Sequence, residues 1–234
     1  MKITILGKSC ITSNGNGAFF DSELSNSGKG EIVFSPLKEV SQKPHPRYGR
    51  FDNYTKLGYI AISEVLEQSG LNQTEGKRPI GIIISSRYEC LENDLAFYKT
   101  TIEEDGAFSS PNLFSYTLPG IVLGECAIYF KLTGPTFCVG ESGEVGYNAL
   151  KAALDIFQSG YTDTLVVGWL DYPPRQISDK DVNEEMKCGA IFVVLQARTP
   201  DNLPCSQKSF FYTPPKITKE NNKEIHSLLD LFTD

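Results

Sequence analysis

Residues 140–144 carry the residue types of a nucleophilic site. Their sequence, Gly-Glu-Ser-Gly-Glu, places Ser142 between a predicted strand and a predicted helix, as in the nucleophile elbow of acyl hydrolases. Glu144 stands where that pattern requires its last glycine, and the general base would be His45 or His226, each in a polar segment. No acidic third member can be identified. A serine acyl hydrolase or transferase using Ser142 is one hypothesis, with an incomplete motif.

Cysteine chemistry is the second candidate. The six cysteines are scattered along the chain without a C-x2-C pair: Cys10, Cys90, Cys126, Cys138, Cys188 and Cys205. With only two histidines beside them, this spacing indicates neither a zinc site nor a disulfide scaffold, and we expect no metal. Cys138 lies inside a predicted strand, where packing is a simpler role for a thiol than nucleophilic attack.

A third hypothesis, nucleotide binding, comes from a glycine-rich stretch after the first predicted strand. Asn14-Gly15-Asn16-Gly17 begins the G-x-G-x-x-G spacing of dinucleotide sites, but Phe20 occupies the position of the third glycine. No acidic residue follows a clear second strand at the usual distance. The nucleotide-binding hypothesis therefore lacks its motif.

Composition and charge restrict the class of protein. The chain has 234 residues and a mass of 25.9 kDa, enough for one large domain or two small ones. Its 22 basic and 29 acidic residues give a net charge of −7, which repels nucleic-acid phosphates and anionic lipid. No run of about 18 apolar residues occurs. We expect a soluble, cytoplasmic protein that binds neither nucleic acid nor membrane.

The predicted elements alternate between strand and helix. Short apolar runs rich in β-branched residues predict five buried strands, at residues 3–6, 80–84, 136–139, 164–167 and 190–195. Helical periodicity covers residues 51–68 and 144–158, and a glycine closes each helix. This alternation is typical of a layered α/β fold.

Two helical patterns raise the question of what covers them. The predicted helix at residues 144–158 carries apolar residues on almost every side. One sheet can bury only one side of such a helix. Either the chain folds over it a second time or another subunit covers it, and an uncovered face would promote self-association. Residues 218–232 predict a terminal amphipathic helix. Its apolar positions are Ile225, Leu228, Leu229 and Phe232.

Residues 134–171 (GPTFCVGESGEVGYNALKAALDIFQSGYTDTLVVGWLD) resemble the core of the β-ketoacyl synthases, which have the thiolase fold. In that family a Gly-Pro dipeptide and a strand lead to C-x-[ST]-G, an alanine-rich helix and a V-x-G-G strand. The nucleophilic cysteine lies eight residues after the proline and seventeen before the glycine that closes the helix. Counted from Pro135 and from Gly160, both spacings end at Gly143.

Further segments agree with the family in order and spacing. Three of them are residues 1–25, 51–71 and 188–196. Residues 110–134 resemble the segment before the active site, although Gly120 stands near the usual asparagine. The resemblance covers residues 1–196 and implies a half-thiolase-like layered α/β domain, with a mixed five-stranded sheet flanked by helices. Residues 197–234 form a C-terminal extension without a counterpart.

The departures from the family pattern bear on function. A β-ketoacyl synthase holds its acyl chain as a thioester on the cysteine, and Gly143 has no side chain for that step. The family's two histidines and lysine lie in its second half, and neither histidine here stands in a matching motif. The resemblance implies a non-catalytic subunit similar to the short chain-length factors of aryl polyene and type II polyketide pathways. It would pair with a β-ketoacyl-[acyl-carrier-protein] synthase as a heterodimer, shape its acyl tunnel and use no cofactor.

The resemblance also implies positions for these contacts. The strand at the partner interface would be Thr136, Phe137, Cys138 and Val139. The residues near the end of the acyl tunnel would be Phe114, Tyr116 and Leu118. Glu141 and Glu144 flank Gly143, where carboxylates near a helix N-terminus are mildly stabilising. The carrier protein is acidic and would contact the partner subunit; the only basic cluster that could attract it here is His45, Arg47 and Arg50.

Overall fold

A mixed β-sheet with helices on both faces organises the chain, in a computed structural model that describes residues 1–12, 15–16, 32, 45–174, 188–197 and 208–233. The strands are β1 (Lys2–Thr12), β2 (Gly15–Asn16), β3 (Ile80–Ser86), β4 (Thr136–Gly140), β5 (Thr164–Asp171), β6 (Gly189–Gln196), β7 (Ser209–Thr213) and β8 (Lys216–Lys219). The α-helices are α1 (Asn53–Gln68), α2 (Leu91–Ile102), α3 (Pro111–Phe114), α4 (Ile121–Tyr129) and α5 (Tyr147–Ser159). Turns of 3-10 helix lie at Tyr48–Arg50, Glu103–Gly106 and Leu228–Leu231.

Seven of these strands follow one another in the order β4-β3-β5-β6-β1-β7-β8, and β2 pairs with β1 off this path. Strand β3 runs parallel to both β4 and β5, whereas the remaining pairs are antiparallel. All seven residues of β3 are buried, as expected for a parallel strand covered on both faces. The layered α/β fold is therefore confirmed.

Side chains alternate between two cores, one on each face of the sheet. Ile82 and Ile84 of β3 pack beneath helices α1 and α4, while Ile83 points to the opposite face and packs with α5. Helix α1 begins at Asp52, whose carboxylate accepts a hydrogen bond from the Thr55 N–H at 3.0 Å. These two layers bring α5 and the segment that precedes α1 to opposite sides of the same strands.

All five predicted strands are present, but the C-terminal region differs from the prediction. The prediction of an amphipathic helix at residues 218–232 is wrong. Strand β8 ends at Lys219, Asn222 adopts a φ of 64°, and the 3-10 turn at Leu228–Leu231 is the only helical element in this segment. Ile225 instead donates a backbone hydrogen bond to Ile217 at 2.9 Å. The apolar spacing arises because Ile225, Leu228 and Leu231 pack on one core from a turn. Strands β7 and β8 were not expected because their sequence has only short apolar runs around Pro214-Pro215.

Helix α5 is covered more fully by its own chain than the sequence suggests. Five of its residues are buried, whereas Lys151, Asp155 and Gln158 face solvent on the opposite side. Leu228 of the C-terminal segment packs on Gly146 at the start of the helix. The second covering layer therefore comes from the chain itself, and self-association through residues 144–158 is not required for burial.

Close packing of α1 yields a stability prediction. A Cβ at Gly58 would lie 2.7 Å from both Leu170 and Val122, so Gly58→Val should lower the free energy of unfolding by about 1–3 kcal/mol. Gly124, on α4, has no atom within 4 Å of a Cβ. Gly124→Ala should leave stability unchanged or raise it by up to about 1 kcal/mol, because alanine favours the helix. Urea unfolding measures both, and equal effects would show that the α1 contact is not tight.

Candidate functional site

Three parallel strands end at one edge of the sheet, where open α/β folds place their ligands. Strand β3 ends at Ser86, β4 at Gly140 and β5 at Asp171. The Asp171 carboxylate is buried and accepts three hydrogen bonds through one oxygen, from the Ser86 hydroxyl at 2.7 Å and from the backbone N–H groups of Arg87 and Tyr88 at 2.8 Å. Burial raises the pKa of Asp171 to about 6 despite these bonds. The Asp171 carboxylate thus holds the loop that follows β3 in place.

The site loop, residues 141–146, connects β4 to α5. Glu141 is buried, and its Oε2 lies 3.4 Å from the backbone N of Asn148 in the first turn of α5. Asn148 in turn donates its side-chain amide to the Gly140 carbonyl at 2.9 Å. A carboxylate therefore sits at the positive end of the helix dipole. Ser142, Gly143 and Glu144 are exposed.

Gly143 leaves room for a side chain that the sequence does not provide. A Cβ built at this position meets no atom within 4 Å, and its φ lies outside the left-handed region that favours glycine. Neither sterics nor backbone conformation therefore requires glycine here. The position that the resemblance assigns to the nucleophile is open to solvent and carries no reactive group.

Neither alternative nucleophile gains support. His45 is buried against Glu125, His226 lies beside Glu224, and in the described ranges neither histidine bonds to Ser142. The serine hypothesis thus lacks a base. Burial, followed by the charges of Glu89 and Asp171, raises the pKa of Cys138 to about 12, so its thiol stays protonated. The glycine-rich stretch proposed for a nucleotide lies largely outside the described residues.

His45, Arg47 and Glu125 form an ionic cluster on the α1 and α4 face, in which His45 and Glu125 are buried and the Arg47 side chain is 48% exposed. The His45 Nδ1 accepts the Arg47 backbone N–H at 3.1 Å, so the ring proton lies on Nε2, 3.5 Å from the Glu125 carboxylate. The Arg47 guanidinium contacts the same oxygen at 2.7 Å. Aromatic rings of Phe51, Tyr59 and Tyr129 surround the imidazole, with centroids 4.9–5.4 Å away. Of the predicted basic cluster, His45 is therefore buried beside Glu125, whereas Arg47 pairs with the same carboxylate from an exposed position and Arg50 is also exposed.

The predicted interface strand lies at an edge of the sheet. The Ile82 N–H donates to the Pro135 carbonyl and the Glu141 N–H donates to the Ser86 carbonyl, each at 2.9 Å. These two bonds show which residues of β4 direct their backbone groups toward β3. Odd-numbered residues bond to β3, so Thr136 and Cys138 turn their backbone N–H and C=O groups outward. No other strand in the described ranges pairs with that side. Thr136 is exposed, and Phe137, Cys138 and Val139 are half-buried.

The three predicted tunnel residues separate into two groups. Phe114 and Leu118 are 62% and 64% exposed, and Phe114 stacks obliquely on Phe97 at 5.4 Å. Tyr116 is 5% exposed and packs against Phe51 in the core of this chain. The Tyr116 side chain thus turns inward between the two exposed ones, and its tunnel assignment stays a prediction.

An apolar surface around these residues was missed by the sequence analysis. Helix α2 buries only Asn93 among its twelve residues, and the segment from α2 to α4 exposes large side chains. They are Tyr98, Ile102, Phe108, Phe114, Leu118 and Ile128. Local periodicity cannot show this exposure, because it depends on which helix faces other elements cover. Exposed apolar clusters of this kind mark interaction surfaces.

Within the described residues no group of three histidine, cysteine or acidic side chains is placed to hold a metal ion. None of the described helices has the length and hydrophobicity of a membrane span.

The buried His45 predicts acid sensitivity. Burial, with Arg47, lowers the pKa of His45 below its ordinary 6.5, so the unfolded chain binds the proton more tightly and stability falls as the pH drops through this range. Burial raises the pKa of Glu125, which acts in the opposite direction near acid pH. His45→Gln, which cannot take up a proton, should therefore reduce the loss of Tm between about pH 7 and about pH 5. Parallel pH profiles of Tm for the two proteins would contradict this assignment.

Comparison with known proteins identifies the family of this chain. The sequence model of the family described as the β-ketoacyl synthase N-terminal domain matches residues 2–176. The granaticin polyketide β-ketoacyl synthase 1 of Streptomyces violaceoruber is 28% identical over 194 residues, which are 79% of this chain but only 43% of that protein. The ishigamide ketosynthase/chain length factor matches with a TM-score of 0.65 and 14% identity, over 83% of this chain and 58% of that one.

A second solved structure, a ketosynthase in complex with its chain length factor from Xenorhabdus doucetiae, matches with a TM-score of 0.59 and 15% identity. The match covers 84% of this chain and 79% of that one. At such identities the structures establish the fold, whereas the family model spans most of the sequence. The chain belongs to the β-ketoacyl synthase family, as its N-terminal domain.

Proposed function

We propose that this chain is a non-catalytic, chain-length-factor-like subunit of a β-ketoacyl-[acyl-carrier-protein] synthase. The observation that carries the proposal is Gly143: the position that the resemblance assigns to the family's nucleophile holds no side chain, although it has space for one. The loop around it is nevertheless tied to α5 by Glu141 and Asn148. A retained site geometry without its reactive group suits a subunit that shapes a partner's site.

The pairing surface is the outer edge of β4. Its free backbone groups at Thr136 and Cys138 suit a strand of the partner, since edge strands recruit further strands by main-chain hydrogen bonds. The half-buried side chains of Phe137 and Val139 would become covered in the complex. The ishigamide ketosynthase/chain length factor and the Xenorhabdus doucetiae ketosynthase in complex with its chain length factor, which have a similar fold, support a heterodimer of this kind.

The tunnel surface is formed by Phe114 and Leu118. Both are large, apolar and exposed in the isolated chain, which is costly in water and is relieved if the partner and its acyl chain cover them. The growing chain would then end against these side chains. Product length in a polyketide or fatty acid pathway, of aryl polyene type, would follow from their size. The carrier protein would contact the partner subunit, in the cytoplasm.

Co-purification followed by a condensation assay tests the function. The chain is co-expressed with the ketosynthase encoded nearest to it, and elongation from malonyl-carrier protein is measured with and without this chain. We expect a stable complex, and we expect that only the complex elongates the acyl chain or that it makes products of a different length from the ketosynthase without this chain. Absence of binding, together with ester hydrolysis by the isolated chain that is lost in Ser142→Ala, would replace the proposal with the serine hypothesis.

The edge-pairing mode predicts the effect of a proline. Cys138→Pro removes an outward N–H without removing a bond to β3, so the isolated chain should stay folded while the yield of complex falls about tenfold or more. Cys138→Ser keeps the N–H and is the matched control, with near-normal yield. Size-exclusion chromatography with both subunits measures the difference. Normal assembly of a folded Cys138→Pro chain would exclude strand pairing through β4.

The tunnel assignment predicts a change in product length. Phe114→Ala or Leu118→Ala should shift the ratio of longer to shorter products by roughly tenfold, since small changes of pocket volume are worth about 1–3 kcal/mol in discrimination. Tyr161→Ala is the control, because Tyr161 is 77% exposed after α5 and outside this surface. Mass spectrometry of carrier-bound products gives the ratio. An equal shift in the control would rule out a specific tunnel role.

A further inference from the structure

The C-terminal segment, residues 208–233, touches the site loop directly, although it lies beyond the part of the chain that the family model matches. The Val145 carbonyl, at the end of the loop, accepts two hydrogen bonds from it. One comes from the backbone N–H of Leu228 at 2.9 Å and the other from the Ser227 hydroxyl at 3.0 Å. Both donors are buried, so these bonds are shielded from water.

The next loop residue, Gly146, is shaped by the same segment. Its φ of 73° lies in the left-handed region, and a Cβ there would come within 2.3 Å of the Leu228 side chain. Leu228 is fully buried on this glycine. Backbone conformation and packing therefore independently require glycine at the point where α5 begins.

The segment is itself anchored to the sheet. The Lys8 ammonium of β1 donates to the Leu231 carbonyl and lies over the Phe232 ring, 5.2 Å from its centroid. The Asp230 carboxylate accepts the N–H groups of His226 and Ser227, at 2.8 and 3.0 Å, which closes the turn that presents Leu228. A turn tied at both ends can transmit the rigidity of the sheet to the loop.

We propose that residues 208–233 act as a latch for the site loop, with Ser227 and Leu228 as positioning residues. They hold Val145 and Gly146, and thereby set the first turn of α5 and the exposed stretch that carries Gly143. The latch is a property of this chain alone. Only its purpose, presenting the loop to a partner subunit, rests on the proposed function.

Hydrogen exchange of the purified chain, alone or in its complex, tests the latch. Leu228→Ala should raise exchange of the Tyr147, Asn148 and Leu150 amides by about tenfold or more, while amides of β3 and β5 keep their parental rates. Leu229→Ala is the matched control, because the neighbouring Leu229 is half-buried and does not line Gly146. A uniform rise over all amides, or equal effects of the two variants, would overturn the proposal.

Two further variants keep the test decisive if Leu228→Ala unfolds. Ser227→Ala removes one hydrogen bond to Val145 and should raise the same amide exchange rates to a smaller extent. Gly146→Ala should destabilise the parent chain more than it destabilises a Leu228→Ala chain, because the shorter side chain relieves the clash. Additive effects of these two substitutions would contradict the contact. Failure of the parent chain to bind a ketosynthase, with the predicted differences in exchange between parent and variants still observed, would count against the proposed function and leave the latch standing.

Discussion

The burial of β3 between two parallel neighbours is the constraint on which the rest of the structure depends. Its backbone approaches the entry to β4 so closely that a Cβ at Gly81 would lie 2.2 Å from the Pro135 carbonyl, and a Cβ at Gly134 would meet Ile80. This contact sets the register of β4. Because β4 and β5 both run parallel to β3, the site loop and Asp171 lie at the same end of the sheet.

The two edges of the sheet are unequal. The segment after β8 folds back on that strand, with backbone hydrogen bonds from Ile225 to Ile217 and from Lys219 to Lys223. At the other edge, β4 offers outward N–H and C=O groups and half-buried apolar side chains. Since a protected edge cannot add a strand, pairing through β4 would form one closed pair and not a growing sheet.

The burial of the helices is uneven as well. Helix α5 is buried by the sheet and at its start by the C-terminal segment, so the chain satisfies it without help. Helix α2 is packed so lightly that its stability depends on few contacts, and the apolar side chains around it face solvent. Exposed apolar side chains are thus concentrated between α2 and α4, where the proposed tunnel residues Phe114 and Leu118 lie, and not around α5.

Local patterns in the sequence were sufficient for the five predicted strands and for helices α1 and α5. Continuous β-branched runs fit buried strands such as β3, and the spacings from Pro135 and Gly160 are counted along one strand-loop-helix unit. These patterns predicted a layered α/β fold, and the resemblance to the β-ketoacyl synthases implied its half-thiolase-like form. The basic cluster around His45 was misjudged, because its partner Glu125 lies about 80 residues away on another helix.

Other features were decided only by the tertiary structure, because they depend on contacts between distant segments. Periodicity predicted that residues 218–232 have an apolar side, but the contact of Leu228 with Gly146 selected a turn over a helix. Alternation could not tell that Tyr116 turns inward while Phe114 and Leu118 turn out. The sequence by itself determined the fold class, since strand and helix patterns are read from neighbouring residues. Tertiary packing decided which surfaces stay open, because burial is a property of the whole chain.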